Sequence, residues 1–294
     1  MDKIQTNAML VKVRCTKWCN TITDRGITDQ VTVDKAAADG FLLVKKRLAK
    51  HSVVQKLNKI IGQVGNTVLR NWTVPWDDGV HLITVDNLDR FEAALREKAD
   101  RLEELKVELQ DTWPAVIEAD KIRRTGLGDA FDPDDYPSVN EIVNRYSITY
   151  ELRPLPSGDD IRVNLPQQRV NAIRQQVERD VAAKVEAGAK VVSERVAEVL
   201  TTFIEGMERH GTKADGAKRA SKFADSTVEA IERLAEALPG LNLTGDPALT
   251  AVSNDLFLKL RDLDPQVLRE DAGERQQAAD TAKEIVSKLS GFFD

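Results

Sequence analysis

Residues 8–16, AMLVKVRCT, alternate apolar and charged side chains from Leu10 to Arg14, the period-two pattern of a half-buried strand. Residues 33–39 read as a short helix stopped by Gly40. After the basic segment KKRLAK, Ser52 is placed to cap a helix. Its Val53, Leu57, Ile60, Ile61, Val64 and Val68 recur at helical spacing as far as about Asn71. The stretch NWTVPWDDGV follows, and then a second alternating run, VHLITV. Pro75 restricts Val74 to extended backbone and Asp78-Gly79 is a turn signal, so the stretch reads as a helix-to-strand corner.

Asp86 or Asn87 is next in position to cap a long helix with the apolar line Leu88, Phe91, Leu95, Leu102, Leu105 and Leu109. Pro114 marks a break or kink before a continuation to about Arg124. Beyond the loop TGLGDAFDPDDYPS, Pro137-Ser138 starts a short helix, and SITYELRPL and DDIRVNL read as two strands joined by the turn PSGD. With the strands near residues 10 and 82 they make one small sheet, the only β element expected.

From Pro166 the chain reads as helical almost to its end. Val170, Val181, Val192 and Phe203 are spaced by eleven, and Val185, Val196 and Met207 form a second line at the same interval. An eleven-residue repeat makes a nearly straight or slightly right-handed seam. A helix this long, roughly 65 Å at 1.5 Å per residue, must pack on other long helices of its own chain or of another copy. After HGTKADGAK a second helix runs over about 217–238, PGLNLTGDP forms a corner, and Asp246-Pro247 and Asp264-Pro265 each read as a cap followed by proline at the first helical position. The fold class is therefore mainly α with a small antiparallel β-sheet (α+β) and a long helical hairpin in the C-terminal half. Residues 1–164 form a basic-to-mixed α+β lobe, and residues 165–294 a helix hairpin or bundle that acts as the assembly element.

Composition sharpens this in one respect. The 294 residues carry a formal charge of -6, but residues 1–70 hold 13 Lys/Arg against 5 Asp/Glu. An uneven distribution of this kind fits a partner such as nucleic acid, an acidic protein, or the acidic end of another copy. The opening MDKIQTNAML lacks an apolar signal core and no apolar run nears the ~20 residues needed to span a bilayer. A soluble cytoplasmic protein without a membrane role is expected, and the sequons at Asn71 and Asn242 then carry no glycosylation meaning.

Candidate chemistry is sparse. Cys15 and Cys19 have no second pair and the histidines, His51, His81 and His210, are distant in sequence, so buried thiols are expected rather than zinc. Asp132, Asp134 and Asp135 lack the glycine and the twelve-residue pattern of a calcium loop. No phosphate-binding loop, nucleophile elbow or HExxH motif is present, and GLGDAF follows a helix rather than a strand. Asp77 and Asp78 serve a hydrolase only if they share a cleft. Otherwise Trp72 and Trp76 fill the core beside a corner made by Asp77, Asp78 and Gly79. The best binding candidate is the patch Lys45, Lys46, Arg47 and Lys50, extended by Lys56 and Lys59, with Trp18, Phe41 and Trp72 as nearby aromatics for base stacking. No cofactor or metal is expected.

The ordered series MLVKV, VPWDDGVHLI, DPDDYPS, DDIRVNL and LPGLNLTGDPAL resembles a family of uncharacterised proteins, a domain of unknown function common in bacteriophage, prophage and plasmid genomes. The resemblance covers most of the chain and is weakest after about Leu256. Its genes often lie near those of MoxR-type AAA ATPases and of cobaltochelatase-like or von Willebrand-type proteins. It implies a non-enzymatic, phage- or mobile-element-encoded component in the bacterial host cytoplasm, working with such an ATPase, and assigns no catalytic residues.

Three functions follow as expectations. The first is a homo-oligomeric scaffold or adaptor assembled through the eleven-residue seam, whose support disappears if both seam lines are buried inside the chain. The second is a nucleic-acid-binding accessory factor for phage replication or recombination. The third, a hydrolase using Asp77 and Asp78, fails if that corner faces solvent.

Overall fold

The computed structural model describes residues 2–48, 51–122, 130–157, 166–212 and 221–289. In chain order, a short helix α1 (Asp2–Asn7) leads into β1 (Ala8–Thr16) and β2 (Thr21–Thr23), then α2 (Arg25–Asp34) and β3 (Lys45–Arg47). Helix α3 (Ser52–Gln63) runs through a π-helical stretch, Val64–Leu69, into α4 (Arg70–Trp72). Strands β4 (Val74–Asp77) and β5 (Val80–Thr84) pass directly into α5 (Val85–Ile122). After α6 (Val139–Asn144) and β6 (Ser147–Pro154) the remainder is helical: α7 (Gln167–Arg209), α8 (Asp225–Leu241), α9 (Pro247–Asp255), a second π-helical stretch Leu256–Leu260, α10 (Pro265–Glu270) and α11 (Ala272–Ser287). The class is the expected one, mainly helical with a small antiparallel sheet.

That sheet has the order β4-β5-β1-β6. Pairing of Ala8 with Thr84 and of Val11 with His81 sets the β1–β5 register. Pro75 lies on β4, an edge strand, where its missing N–H costs the ladder least. The WDDG corner is thus a β4–β5 hairpin rather than a helix-to-strand turn, with Gly79 at φ 66° where a side chain would be strained.

Several local expectations are corrected. A second two-stranded sheet pairs Thr21 with Arg47 and Thr23 with Lys45, each strand too short to show periodicity. The helix expected at 33–39 lies instead at Arg25–Asp34, because Asp24 accepts from the Ile27 N–H and caps it. His51, not Ser52, caps α3, accepting from the Val53 N–H through Nδ1. Both cysteines are exposed rather than buried. Helix α8 runs through Pro239 to Leu241, and α5 runs through Pro114 to Ile122. The expected strand DDIRVNL and most of HGTKADGAK lie outside the described residues.

The chain groups into two compact units, neither continuous in sequence: Met1–Lys12, Val68–Glu92 and Glu151–Asp294 form one, and Val13–Thr67 with Ala93–Tyr150 the other. In the first, α7 packs against α8, α11 and β4. Helix α7 is unbroken through Gly188 and Gly206, and at Gly188 it comes so close to β4 that an added Cβ would sit 2.7 Å from a Val74 methyl. The second unit has its own core, in which Trp18, Leu57, Leu105, Leu109, Trp113 and Tyr146 meet. Trp18 and Trp113 pack edge to face with ring centroids 5.9 Å apart.

Candidate functional site

In the first unit, the seam does not face outward. Val181, Val185, Val192, Val196, Phe203 and Met207 are all buried by the chain's own elements, and only Val170, near the start of α7, is half-buried. The neighbours of this stripe along α7 are α8 and α11 of the same chain. With both lines buried inside the chain beyond Val170, the seam lends no support to an interface between copies.

The WDDG hairpin is equally committed to structure. Asp77 accepts from the Asp78 N–H at 3.0 Å and pairs with Lys184 of α7 at 2.8 Å, while that ammonium lies 5.3 Å from the Trp76 ring centroid. The Lys184 hydrogen bond, then the Asp78 N–H, holds the Asp77 carboxyl below the usual carboxylate range. Asp77 and Asp78 are both exposed, so they form no enclosed acid pair with separated pKa values. The hydrolase reading ends there.

Behind the hairpin lies a buried polar cluster. Thr73, fully buried, donates through Oγ1 to the Leu69 carbonyl, and the same oxygen lies 2.9 Å from His81 Nδ1. The hydroxyl has spent its one proton on Leu69, so His81 must donate from Nδ1, which specifies its neutral tautomer. Buried Arg195 donates to the Thr73 carbonyl at 3.1 Å, and burial lowers its pKa to about 10. Burial, with Arg195 nearby, also lowers the pKa of His81. A base whose folded pKa is depressed supplies stability that is complete above the unfolded value near 6.5 and is lost as pH falls through the folded value. Acidification from pH 7 to 5 should therefore destabilise the protein, and His81→Gln should flatten that slope in urea unfolding curves. The pKa of His210, also lowered by burial, adds to that dependence in the same direction.

Three side chains form a clamp in this unit, and of them the sequence points only to Asn87, in another role. Thr84 Oγ1 donates to the Gly240 carbonyl (2.8 Å), Asn87 Nδ2 to Ala237 (3.0 Å) and Arg90 Nη1 to Glu236 (2.9 Å). All three carbonyls lie in the last two turns of α8, and that of Gly240 is among the final four, which have no donor within the helix. Asn87 is therefore not the cap of its own helix but a partner for another. The LNLTGDP stretch is a turn and cap: Asn242 bonds both the N–H and carbonyl of Asp246, whose carboxylate accepts from the Ala248 and Leu249 N–H groups.

The basic patch, in the second unit, divides on inspection. Lys46 is buried, and its ammonium meets Asp24 at 2.9 Å, Asp135 at 2.5 Å and the Ala130 carbonyl at 3.1 Å, one acceptor for each proton. Its pKa is raised, by the Asp135 bond first and the Asp24 bond second. This lysine is a structural pin, and Asp135 of the FDPDDYPS loop is its anchor. Asp132 of the same loop caps a 3-10 turn by accepting from the Asp134 N–H. Lys56 pairs with Glu108 at 3.0 Å, Lys59 is exposed, and Lys50 lies outside the described residues.

What remains is a one-sided ledge. From Phe41 to Leu48 exposure alternates strictly, with Phe41, Leu43, Lys45 and Arg47 outward and Leu42, Val44, Lys46 and Leu48 inward. Phe41 is 83 % and Leu43 60 % exposed. Of the three aromatics near the patch only Phe41 is available, since Trp18 and Trp72 are buried. Beside the ledge, Cys19 lies with Sγ 3.1 Å from Thr21 Oγ1, and its hydrogen bonds to Thr21, with lesser help from Lys45 and Lys17, lower the thiol pKa.

Among the described residues no cluster of three or more His, Cys, Asp or Glu could hold a metal ion, and no helix is long and apolar enough to cross a membrane. No family model, curated protein or solved structure matches the chain.

Proposed function

We propose that this chain is a non-enzymatic adaptor or scaffold that engages a partner protein through the Phe41–Arg47 ledge. The observation that carries this reading is the alternation itself. It exposes two large apolar side chains and two cations along one strip, and the inward Lys46 ties that strip to Asp24 and Asp135. Apolar residues with charged neighbours are the usual make-up of a protein-binding patch. The resemblance to the phage and plasmid family adds a cytoplasmic setting in a bacterial host and a MoxR-type AAA ATPase as the partner class.

The test is a binding titration of the purified chain against a MoxR-type AAA ATPase. Phe41→Asp combined with Lys45→Glu should abolish binding while unfolding curves stay within about 0.5 kcal/mol of wild type, as surface changes do. Lys46→Met should instead lower thermal stability, because it leaves Asp24 and Asp135 without their shared cation. Binding that survives the ledge substitutions overturns the reading.

The same ledge supports a second reading, a nucleic-acid-binding accessory factor, because Phe41 offers a stacking face beside two cations. On that reading a labelled single-stranded oligonucleotide binds with an affinity that falls steeply with salt, and Lys45→Glu with Arg47→Glu removes it.

A further inference from the structure

We infer that the ledge of one copy docks into an acidic groove on α5 of another, so that the chain assembles head to tail; the inference rests on the scaffold reading and names its partner as a second copy. The groove, about 580 Å³, is lined by Asp100, Glu103, Glu104, Val107 and Asn144, with Lys106 as its one cation, already paired with Glu103. Val107 is 57 % exposed, an apolar spot beside the acids as Leu43 is beside the cations.

The two surfaces match in charge and order. Within the second unit, residues 13–67 hold 10 Lys/Arg against 4 Asp/Glu, while residues 93–150 hold 8 against 13. Opposite charge is thus presented by the two halves of one unit. Lys45 and Arg47 stand about 7 Å apart on their strand, close to the roughly 6 Å between helix neighbours such as Asp100 and Glu104. Val107 follows one turn after the acids, where Leu43 falls if the cations seat on them. Glu103 and Glu104 now pair with Lys106 and Arg101 on their own helix. The Arg101–Glu104 pair is exposed at both ends, and pairs of that kind are weak and exchange readily for an intermolecular partner. A nucleic acid on the ledge would gain nothing from these carboxylates, whereas a second copy uses both surfaces.

A ledge meeting a groove is a heterologous contact, so each added copy leaves a ledge and a groove open for the next. Sedimentation velocity of the full chain should show mass rising with concentration and falling with salt. Lys45→Glu with Arg47→Glu, and separately Asp100→Lys with Glu104→Lys, should each hold the protein at the mass of one chain. All four substituted residues are exposed, so circular dichroism should be unchanged. Mixing the two variants, or joining all four changes in one chain, should restore assembly. A chain that stays single at every concentration, or assembly that survives both reversals, overturns the inference. A wild-type chain that stays single yet loses oligonucleotide binding on ledge reversal overturns it in favour of nucleic acid. A chain that stays single yet binds the ATPase through its ledge overturns self-assembly alone and leaves the adaptor reading intact.

Discussion

Phe203→Ala is expected to lower the unfolding free energy by about 3–5 kcal/mol without changing the mass of the native protein. The ring is 0 % exposed at the far end of the eleven-residue line from Val170, between α7 and the helices packed on it. Truncating it removes the transfer energy of the ring and leaves a cavity that neighbours fill only in part. Urea unfolding with an unchanged slope, read beside sedimentation, separates two outcomes. Loss of stability with no change in association is the result for an internal seam. A native protein of undiminished stability that dissociates instead would place the seam between copies. Val170→Ala, at the half-buried start of the same line, should cost far less.

The contrast between Phe203 and Val170 marks how far periodicity reaches. A stripe at helical spacing reports that one face of α7 is covered, because burial acts residue by residue along the chain. It carries no record of what covers it, and the same valines would serve a coiled coil between copies or a bundle within one chain. The long α5, the β1 and β5 strands and the Asp246 and Asp264 caps were legible for the same reason: each is written in a few neighbouring residues. Lys46 was not. Its two carboxylates stand 22 and 89 positions away, and KKR shows three equal cations until the alternation from Phe41 to Leu48 is seen to turn the middle one inward. Read at period two, FLLVKKRL holds that signal, although two of its inward positions carry the same residue types as their outward neighbours. Asn87 misled for a related cause. A small amide ahead of an amphipathic run is the usual mark of a cap, and only the approach of α8 diverts it elsewhere.

That diversion sets up the second large effect, at Gly240. A Cβ built on Gly240 would lie 2.5 Å from Asn87 Cγ and 2.7 Å from its Nδ2, closer than any real contact. Asn87 is 1 % exposed and holds the Ala237 carbonyl, so it has neither room nor freedom to turn away. Gly240→Ala should therefore cost about 3 kcal/mol, by overpacking and by breaking the hydrogen bond to the end of α8. Asn87→Ala should cost about 1–3 kcal/mol on its own, since it strips a partner from a carbonyl facing the clamp. The two changes together relieve the clash, because the atoms that collide are those the second substitution deletes. The double variant should accordingly be more stable than the sum of the single effects by at least about 1 kcal/mol. Unfolding curves for the four proteins of the cycle decide the matter, and additivity within about 0.5 kcal/mol would mean that Gly240 is required by something other than Asn87.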